Sequence, residues 1–288
     1  MSENLEITKK KTSRQGRWKY RLIFGLGFLL IIGCQADNIA KHLLLHPSKL
    51  PPNWRPQNVE CENAFFETAD GSRLHGLYFP CTDSKGTILY SHGNGGTVAQ
   101  WMFEGIDIRD HLNVSILVYD YRGYGLSEGS PTASGILEDG RAARKWLADR
   151  ENIAETDIIQ HGRSLGGAVA IDLASNDGAR ALIIESTFAS LPAMAGKYVP
   201  GIPARFLLRE QLDSAKKIKQ YTSPLYHSHG TADSLIPFSQ GEKIFAAAAS
   251  TDKTFYPIQG GDHNDPQPDD YYAKLKEYID ALPPTQKR

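Results

Sequence analysis

Short apolar runs that alternate with amphipathic segments constrain the fold of this chain more than any other feature. Six runs have the length and residue content of strands, and four are hydrophobic at nearly every position, as strands covered on both faces are. The predicted strands are residues 87–91, 114–119, 157–161, 181–186, 224–229 and 255–258, and helical patterns lie between them at about 97–109, 134–149, 166–175, 239–249 and 269–281. This alternation predicts an α/β fold with a mostly parallel central sheet flanked by helices.

A β-hairpin is predicted ahead of this repeat. Residues 59–68 and 73–80 have strand character and are joined through Asp70-Gly71, a dipeptide typical of tight hairpin turns. With these two residues at the centre of the turn, Cys61 and Cys81 fall within one residue of being cross-strand partners. We therefore predict a disulfide between them, which needs an oxidising compartment. Two buried free thiols are the alternative for a cytosolic protein.

The first 33 residues have the composition of a targeting segment. Seven basic side chains precede an apolar run at residues 22–33, which is shorter than the about 20 apolar residues that a membrane-spanning helix needs. The run ends in Gly33-Cys34, which resembles a bacterial lipobox, so residues 1–33 are predicted to be a lipoprotein-type signal peptide and Cys34 the lipidated residue. An exported, membrane-anchored lipoprotein on the periplasmic side is expected, and an uncleaved inner-membrane signal anchor is the alternative.

The predicted organisation of the rest follows from that cleavage. Residues 34–58 would tether the protein to the membrane, and residues 59–288 would form one folded domain. Gln35 after the cysteine, in place of an aspartate, permits an outer-membrane location. The sequence leaves the oligomeric state open.

The charge balance argues against a nucleic-acid partner. Seven of the 32 basic and two of the 33 acidic side chains lie in residues 1–33, so that the remainder carries a net charge of −6. Nucleic-acid affinity comes mainly from cationic contacts to phosphate, which such a domain would not supply. We expect a small-molecule or lipid substrate and no nucleic acid.

The chemistry is concentrated in the sequence Gly162-Arg163-Ser164-Leu165-Gly166-Gly167, between a predicted strand and a predicted helix. In this context a G-x-S-x-G motif is typical of the sharp turn that exposes a nucleophilic serine. Glycines fit on both sides of Ser164 because side chains there would collide where strand and helix approach. Ser164 is the candidate nucleophile, and a glycine-rich turn that only packs a strand on a helix is the alternative.

A serine nucleophile needs a base, and the base needs a carboxylate that orients it. His263 lies between the last predicted strand and the last helix, and Asp233 lies in the loop that leaves the penultimate strand. Both loops should emerge at the carboxyl edge of the sheet, where Ser164 also emerges. Glu185, at the end of another predicted strand, is the alternative acid.

Two further histidines could suggest a metal pair by their spacing. His227 and His229 lie in or at the end of a predicted strand, and a metal site would need an acidic or thiol third ligand that is not committed elsewhere. Asp233, four residues after His229, is already assigned to the triad, so we expect the two histidines to be packing residues, and we predict neither a metal nor a cofactor.

The oxyanion of an acyl-transfer reaction must also be stabilised. Ser91-His92-Gly93-Asn94-Gly95-Gly96 follows a predicted strand and opens a helix, where the second amide of an oxyanion hole arises in such folds. We assign the backbone N–H groups of Asn94 and Leu165 to this role, with Gly95 as the alternative to Asn94. His92 precedes the nucleophile and is expected to order the loop by hydrogen bonds.

Five motifs in this order resemble the α/β-hydrolase family, in particular membrane-associated acyl hydrolases related to lysophospholipase-like and prolyl-oligopeptidase-like enzymes. They are SHGNGG (91–96), DYRGYGLSEG (120–129), GRSLGG (162–167), HGTAD (229–233) and GGDHND (260–265), and the resemblance covers about residues 59–282. It implies the α/β-hydrolase fold, cofactor-free hydrolysis and a Ser164, Asp233 and His263 triad. Asp262 departs from the small residue that relatives often have, and it would raise the basicity of His263 or face the solvent.

One connection is too long for a bare loop. Residues 187–223 mix proline, glycine and apolar side chains, which is typical of a cap or lid. Phe188, Met194, Phe206 and Leu207 are the candidate substrate-binding residues of an apolar acyl channel. Alternatively, the apolar residues of this segment pack the cap onto the body of the domain.

The predicted activity is cleavage of carboxylic ester or thioester bonds through an acyl-enzyme intermediate. A serine aminopeptidase or oligopeptidase is one alternative, and it would require groups that hold a peptide terminus. A lipoprotein that retains the fold as a non-catalytic binding module is the other.

Overall fold

The computed structural model describes residues 45–198 and 212–284, and for residues 195–198 it describes the main chain only. The predicted signal peptide, Cys34, Phe206 and Leu207 lie outside the described residues. Within the described ranges, no helix combines the length and the apolar composition needed to cross a bilayer.

Eight strands form one sheet. They are β1 (Glu62–Glu67), β2 (Arg73–Phe79), β3 (Thr87–Ser91), β4 (Ser115–Asp120), β5 (Ile159–Arg163), β6 (Ala181–Glu185), β7 (Leu225–Gly230) and β8 (Lys253–Ile258). Their order is β1-β2-β4-β3-β5-β6-β7-β8; β2 pairs antiparallel with β1 and with β4, and the other pairs are parallel. The predicted fold class, a mostly parallel sheet flanked by helices, is confirmed.

Seven α-helices occupy the described part of the chain. They are α1 (Val98–Leu112), α2 (Ala133–Glu151), α3 (Leu165–Asp177), α4 (Leu191–Tyr198), α5 (Ser214–Lys217), α6 (Phe238–Ala247) and α7 (Tyr271–Asp280). Local chemistry sets several of their ends. Thr97 caps α1 in a capping box with Gln100, and Asn113 and Asn152 end α1 and α2 in the left-handed conformation that asparagine tolerates.

The apolar side chains lie on both faces of the sheet. One core contains residues of α1 and α7, among them Ile108 and Leu275. On the opposite face α2, α3 and α6 supply side chains such as Leu147, Val169 and Ile244. Strands β3 and β4 are buried at every position. Because parallel strands end at the same edge, this two-sided burial fixes where the loops after β3, β5, β7 and β8 emerge.

The hairpin differs from its predicted register. Glu67 pairs with Arg73, which leaves one residue more in the turn than the Asp70-Gly71 prediction allows; Gly71 has φ +83°, where glycine is favoured. Continued into the flanking residues, this register places Phe79 opposite Cys61. Cys81 lies beyond the end of β2, where its Sγ is 3.0 Å from Asn113 Oδ1. Both cysteines are free thiols in the structure, so the predicted disulfide is not formed.

A buried histidine in β2 makes the stability of the fold depend on pH. Burial, together with the nearby Arg55 and Arg73, lowers the pKa of His75 from 6.5 to about 4. Since the unfolded chain takes up this proton near pH 6.5 and the folded chain resists it, the stabilisation is present above pH 6.5 and is lost as the pH falls toward 4. We expect the free energy of unfolding to drop by about 2.5 kcal/mol between pH 7.5 and 4.5 through this group alone.

Urea unfolding at the two pH values, with His75→Gln compared with wild type, measures this contribution. The variant should lose about 2.5 kcal/mol less than the wild type on acidification. His111→Gln is the matched control, because His111 lies exposed on the surface. Equal acid sensitivity in wild type and His75→Gln would show that His75 does not make this contribution.

Candidate active site

Ser164 occupies a sharp turn between β5 and α3. Its backbone has φ +55° and ψ −116°, a strained conformation for a residue with a side chain. The turn requires its glycines: a Cβ at Gly162 would lie 2.1 Å from the Gly166 carbonyl oxygen, and one at Gly166 would lie 1.8 Å from the Ser91 carbonyl oxygen. The main chains of β3, β5 and α3 therefore meet closely at this point, and the turn lifts Ser164 above the edge of the sheet.

Three loops bring the predicted catalytic side chains together. His263, in the loop after β8, has its Nε2 3.1 Å from Ser164 Oγ. Its Nδ1 lies 2.8 Å from Oδ2 of Asp233, in the loop after β7. All three residues are at least nine-tenths buried. The structure thus places a hydroxyl, an imidazole and a carboxylate in one hydrogen-bonded chain, as the sequence predicts.

The Asp233 carboxylate is held by more than the imidazole. Oδ1 accepts hydrogen bonds from the backbone N–H groups of Leu235, at 3.0 Å, and Ile236, at 2.7 Å. Although burial raises the pKa of Asp233, hydrogen bonds from His229, His263 and the Ile236 amide outweigh it and hold this pKa well below its usual range. The carboxylate is therefore ionised and has a fixed orientation.

Glu185, the alternative acid, has other partners. Its Oε1 lies 2.6 Å from His161 Nε2 and accepts a hydrogen bond from the Tyr271 hydroxyl at 2.6 Å, while Oε2 accepts one from Gln267 Nε2 at 2.7 Å. His263 Nδ1 bonds Asp233 rather than Glu185. Glu185 therefore fastens the loop that carries His263 and does not orient its ring.

The loop after β3 lies directly beside Ser164. A Cβ added at Gly93 would lie 3.6 Å from the Cβ of Ser164. His92 is fully buried against Trp101 and Tyr121, and its Nδ1 is 2.7 Å from the Gly93 carbonyl oxygen. These contacts agree with the expectation that His92 orders the loop.

The two N–H groups predicted for the oxyanion hole have no acceptor in the described part of the chain. The N–H groups of Asn94 and Leu165 donate to no acceptor within residues 45–198 and 212–284. The side chain of Asn94 is fixed instead, because its Oδ1 accepts hydrogen bonds from the His46 N–H, at 2.9 Å, and the Tyr124 hydroxyl, at 3.1 Å. Free, ordered N–H groups are what an oxyanion hole requires.

Residues 45–50, which belong to the predicted tether, contact this site. Besides the His46 bond to Asn94, Gly125 N–H donates to the Ser48 carbonyl at 2.7 Å and Lys49 Nζ to the Ser127 carbonyl at 2.7 Å. Leu45 is buried in the apolar cluster that also contains Leu165. No sequence motif in residues 45–50 predicts these contacts, because they join parts of the chain that are far apart in sequence.

Two of the four predicted substrate-binding residues are described. Phe188 and Met194 are buried in the same cluster as Leu165 and Leu45. An apolar surface therefore adjoins the nucleophile turn.

The two strand histidines lie in a packed environment. His227 and His229 are fully buried, and the ring of His227 packs against Phe255 with ring centroids 4.9 Å apart. His229 Nε2 donates to the Ile236 carbonyl at 2.9 Å and lies 3.5 Å from Asp233 Oδ2. In the described part of the chain, no three His, Cys, Asp or Glu side chains are grouped as metal ligands.

Comparison with known proteins finds relatives over most of the chain. No protein-family model matches it. Protein bem46 of Schizosaccharomyces pombe is 30% identical over 254 residues, which are 82% of this chain and 84% of bem46. Mouse alpha/beta hydrolase domain-containing protein 17C is 32% identical over 219 residues, covering 75% of this chain and 66% of the mouse protein. The esterase Pf2001 of Pyrococcus furiosus superposes with a TM-score of 0.68 at 20% identity, covering 83% of this chain and 98% of the esterase.

Proposed function

The chain belongs to the α/β-hydrolase family, and from this premise we propose that it is a serine hydrolase that cleaves carboxylic ester or thioester bonds. The observation that carries the proposal is the hydrogen-bonded chain from Ser164 through His263 to Asp233. The fold that it shares with an esterase supports an ester as the substrate class, and the proposal does not require a cofactor.

The roles that we propose for the three side chains follow from their hydrogen bonds. An ionised Asp233 can only accept, so His263 donates from Nδ1 and leaves Nε2 free to take a proton. Nε2 removes the proton of the Ser164 hydroxyl as Oγ attacks the carbonyl carbon. The negative charge of Asp233 stabilises the imidazolium that forms.

The tetrahedral intermediate then collapses. Its oxyanion accepts hydrogen bonds from the free N–H groups of Asn94 and Leu165. His263 returns the proton to the departing alcohol or thiol, which leaves an acyl group on Ser164. Water, deprotonated by His263, attacks this acyl-enzyme and releases the carboxylic acid and the free serine.

The substrate class is tested by esters and an amide assayed side by side. We expect p-nitrophenyl acyl esters to be hydrolysed faster than an aminoacyl p-nitroanilide, and a fluorophosphonate probe to label Ser164. Preference for the amide would instead favour a peptidase. Absence of both labelling and turnover in the folded protein would favour a non-catalytic binding module.

Leu45 provides a test of the acyl pocket, because it shares a cluster with Phe188, Met194 and the nucleophile turn. If this cluster lines the acyl site, Leu45→Trp fills part of it. We expect kcat/KM for long-chain esters to fall about tenfold relative to acetate. The indole would exclude methylene groups of a long acyl chain from the pocket, and each methylene contact that is lost weakens binding of the transition state. Leu50→Trp is the control, because Leu50 packs in the other core. The same chain-length profile in both variants would show that this cluster only packs the cap.

The cellular location is proposed from residues 1–34 alone, since the free thiols of Cys61 and Cys81 give no support for an oxidising compartment. We propose cleavage before Cys34 and lipidation of that residue, with the alternative of an uncleaved signal anchor. Intact mass measurement of the membrane fraction separates the two. Cleaved, acylated protein is expected, and a chain that retains residues 1–33 would contradict lipidation.

A further inference from the structure

The main chain of His263 is held on both sides by charged side chains outside the triad. Its N–H donates to Oδ1 of Asp262, the preceding residue, at 2.7 Å. Its carbonyl oxygen accepts a hydrogen bond from Nη2 of Arg163 at 2.8 Å. Both peptide groups that flank the imidazole therefore have fixed partners.

Asp262 joins the His263 loop to the loop of the acid. Its carboxylate also accepts the Ser234 N–H at 2.7 Å and the Ser234 hydroxyl at 3.1 Å, and Ser234 directly follows Asp233. These N–H donors hold the pKa of Asp262 below its usual range. Asp262 thus connects the base and the acid through their main chains, a role that the two sequence expectations for this residue did not include.

Arg163 makes the corresponding connection to the nucleophile. It is the last residue of β5 and directly precedes Ser164. Its side chain is only 13% exposed, and its Nη1 lies 3.8 Å from Glu104 Oε2 of α1. On the neighbouring strand β6 it pairs in register with Glu185. The guanidinium is therefore enclosed between two elements while it donates to the His263 carbonyl.

Carboxylates around the guanidinium keep it charged. Burial opposes the charge, but Glu185, Tyr90 and Glu104 raise the pKa of Arg163 above its ordinary value. Glu185 in turn accepts the hydrogen bond from Gln267, four residues after His263 in the same loop. The loop that carries His263 is therefore held at two points, by Arg163 at the end of β5 and by Glu185 at the end of β6.

We propose that Arg163 is a positioning residue, whose guanidinium fixes the His263 main chain to the strand that carries Ser164 and so sets the distance between base and nucleophile. The inference rests on the proposed role of His263 as the base. A charge-assisted hydrogen bond to a carbonyl is short and directional, and a loop that carries a catalytic base needs such a restraint because small displacements reduce the rate strongly.

Three variants separate positioning from general packing. Arg163→Gln shortens the side chain and removes its charge, and Arg163→Lys keeps a charged donor without the planar fork. Arg144→Gln is the matched control: the Arg144 side chain is even less exposed than that of Arg163 and also donates to backbone carbonyls, those of Glu155, Asp177 and Gly178. None of these Arg144 partners belongs to the triad loops.

The first measurement is steady-state hydrolysis of a p-nitrophenyl ester below the unfolding temperature of each variant. For Arg163→Gln we expect kcat to fall about ten- to a hundredfold with KM changed less than about twofold, because the substrate is still bound while the base is displaced. Arg163→Lys should recover kcat to within about fivefold of wild type. Arg144→Gln should keep the wild-type kcat.

The second measurement does not depend on turnover. We expect the Nδ1 proton between His263 and Asp233 to give a low-field proton resonance in the resting protein, assigned by its loss in His263→Ala. We expect Arg163→Gln to broaden or remove this signal through faster exchange with water and Arg144→Gln to retain it. If hydrolysis proves independent of Ser164, the proposed serine hydrolase function is wrong. The low-field resonance would still show whether Arg163 positions the ring of His263.

Two outcomes would overturn the proposal. One is an Arg163→Gln protein with wild-type kcat and an unchanged low-field resonance. The other is equal losses in Arg163→Gln and Arg144→Gln, which would assign both effects to general packing.

Discussion

Ser164→Ala is expected to lower kcat for ester hydrolysis by about 10⁴-fold or more and to leave the fold intact. The hydroxyl supplies the atom that forms the acyl-enzyme bond, and its Oγ makes its hydrogen bond to His263 and does not cap α3. Its removal therefore eliminates the covalent path and leaves only His263 Nε2 without its partner. Alanine keeps a Cβ, so the strain of the turn at φ +55° is not relieved and the backbone should not change.

The measurements are kcat with a p-nitrophenyl ester, fluorophosphonate labelling and the urea midpoint. Ser127→Ala is the matched control: Ser127 is also buried at the carboxyl edge of the sheet, but its hydroxyl bonds the His75 N–H and the Asp120 carbonyl. This control should lose stability and keep kcat. Retained hydrolysis in purified Ser164→Ala would reject Ser164 as the nucleophile.

Much of the fold follows from local sequence patterns. Residues 87–91 coincide with β3, and 181–186 exceeds β6 by one residue, because both runs are hydrophobic at nearly every position. The G-x-S-x-G motif identifies Ser164, since its glycines are needed where three main chains meet. The order of strands and loops then places His263 and Asp233 at the same edge.

The predictions that failed or were not made depend on geometry that local patterns do not contain. The disulfide depended on the hairpin register, and one additional turn residue moved Cys61 opposite Phe79 in the continued register. The contacts of His46 and Arg163 join residues 48 and 100 positions apart. No hydrophobic periodicity predicts such contacts. Arg163 occupies an x position of the G-x-S-x-G motif, where the motif itself specifies no residue type. The structure was needed to show that it holds the His263 loop.

Glu185 shows why a carboxylate at a strand end cannot be assigned from its position alone. Asp233 and Glu185 both lie at the carboxyl edge, and both are buried. The difference lies in their partners. Both Glu185 oxygens already have partners in His161, Gln267 and Tyr271, whereas Asp233 holds Oδ2 toward the imidazole and Oδ1 toward backbone amides. Only the second arrangement leaves an oxygen to orient a base.

This arrangement predicts a loss of about 10⁴-fold in kcat at neutral pH for Asp233→Asn. The Asn side chain has one acceptor, and the N–H groups of Leu235 and Ile236 require it at the Oδ1 position. The amide NH2 must then face His263 Nδ1, which becomes an acceptor and moves the ring proton to Nε2. A protonated Nε2 cannot take the proton of Ser164, so the hydrogen-bonded chain persists with the wrong polarity.

The kinetic comparison needs two further variants. Asp172→Asn is the control, because Asp172 is a buried carboxylate on α3 that pairs with Arg141 away from the triad; it should keep kcat and lose stability. Glu185→Gln tests the alternative acid, and its loss should be much smaller than that of Asp233→Asn because it loosens the His263 loop without changing the protonation of the ring. If Glu185→Gln lost about 10⁴-fold in kcat while Asp233→Asn kept its activity, Glu185 would be the acid instead of Asp233. Only the carboxylate that fixes the tautomer of the imidazole can produce an effect of that size.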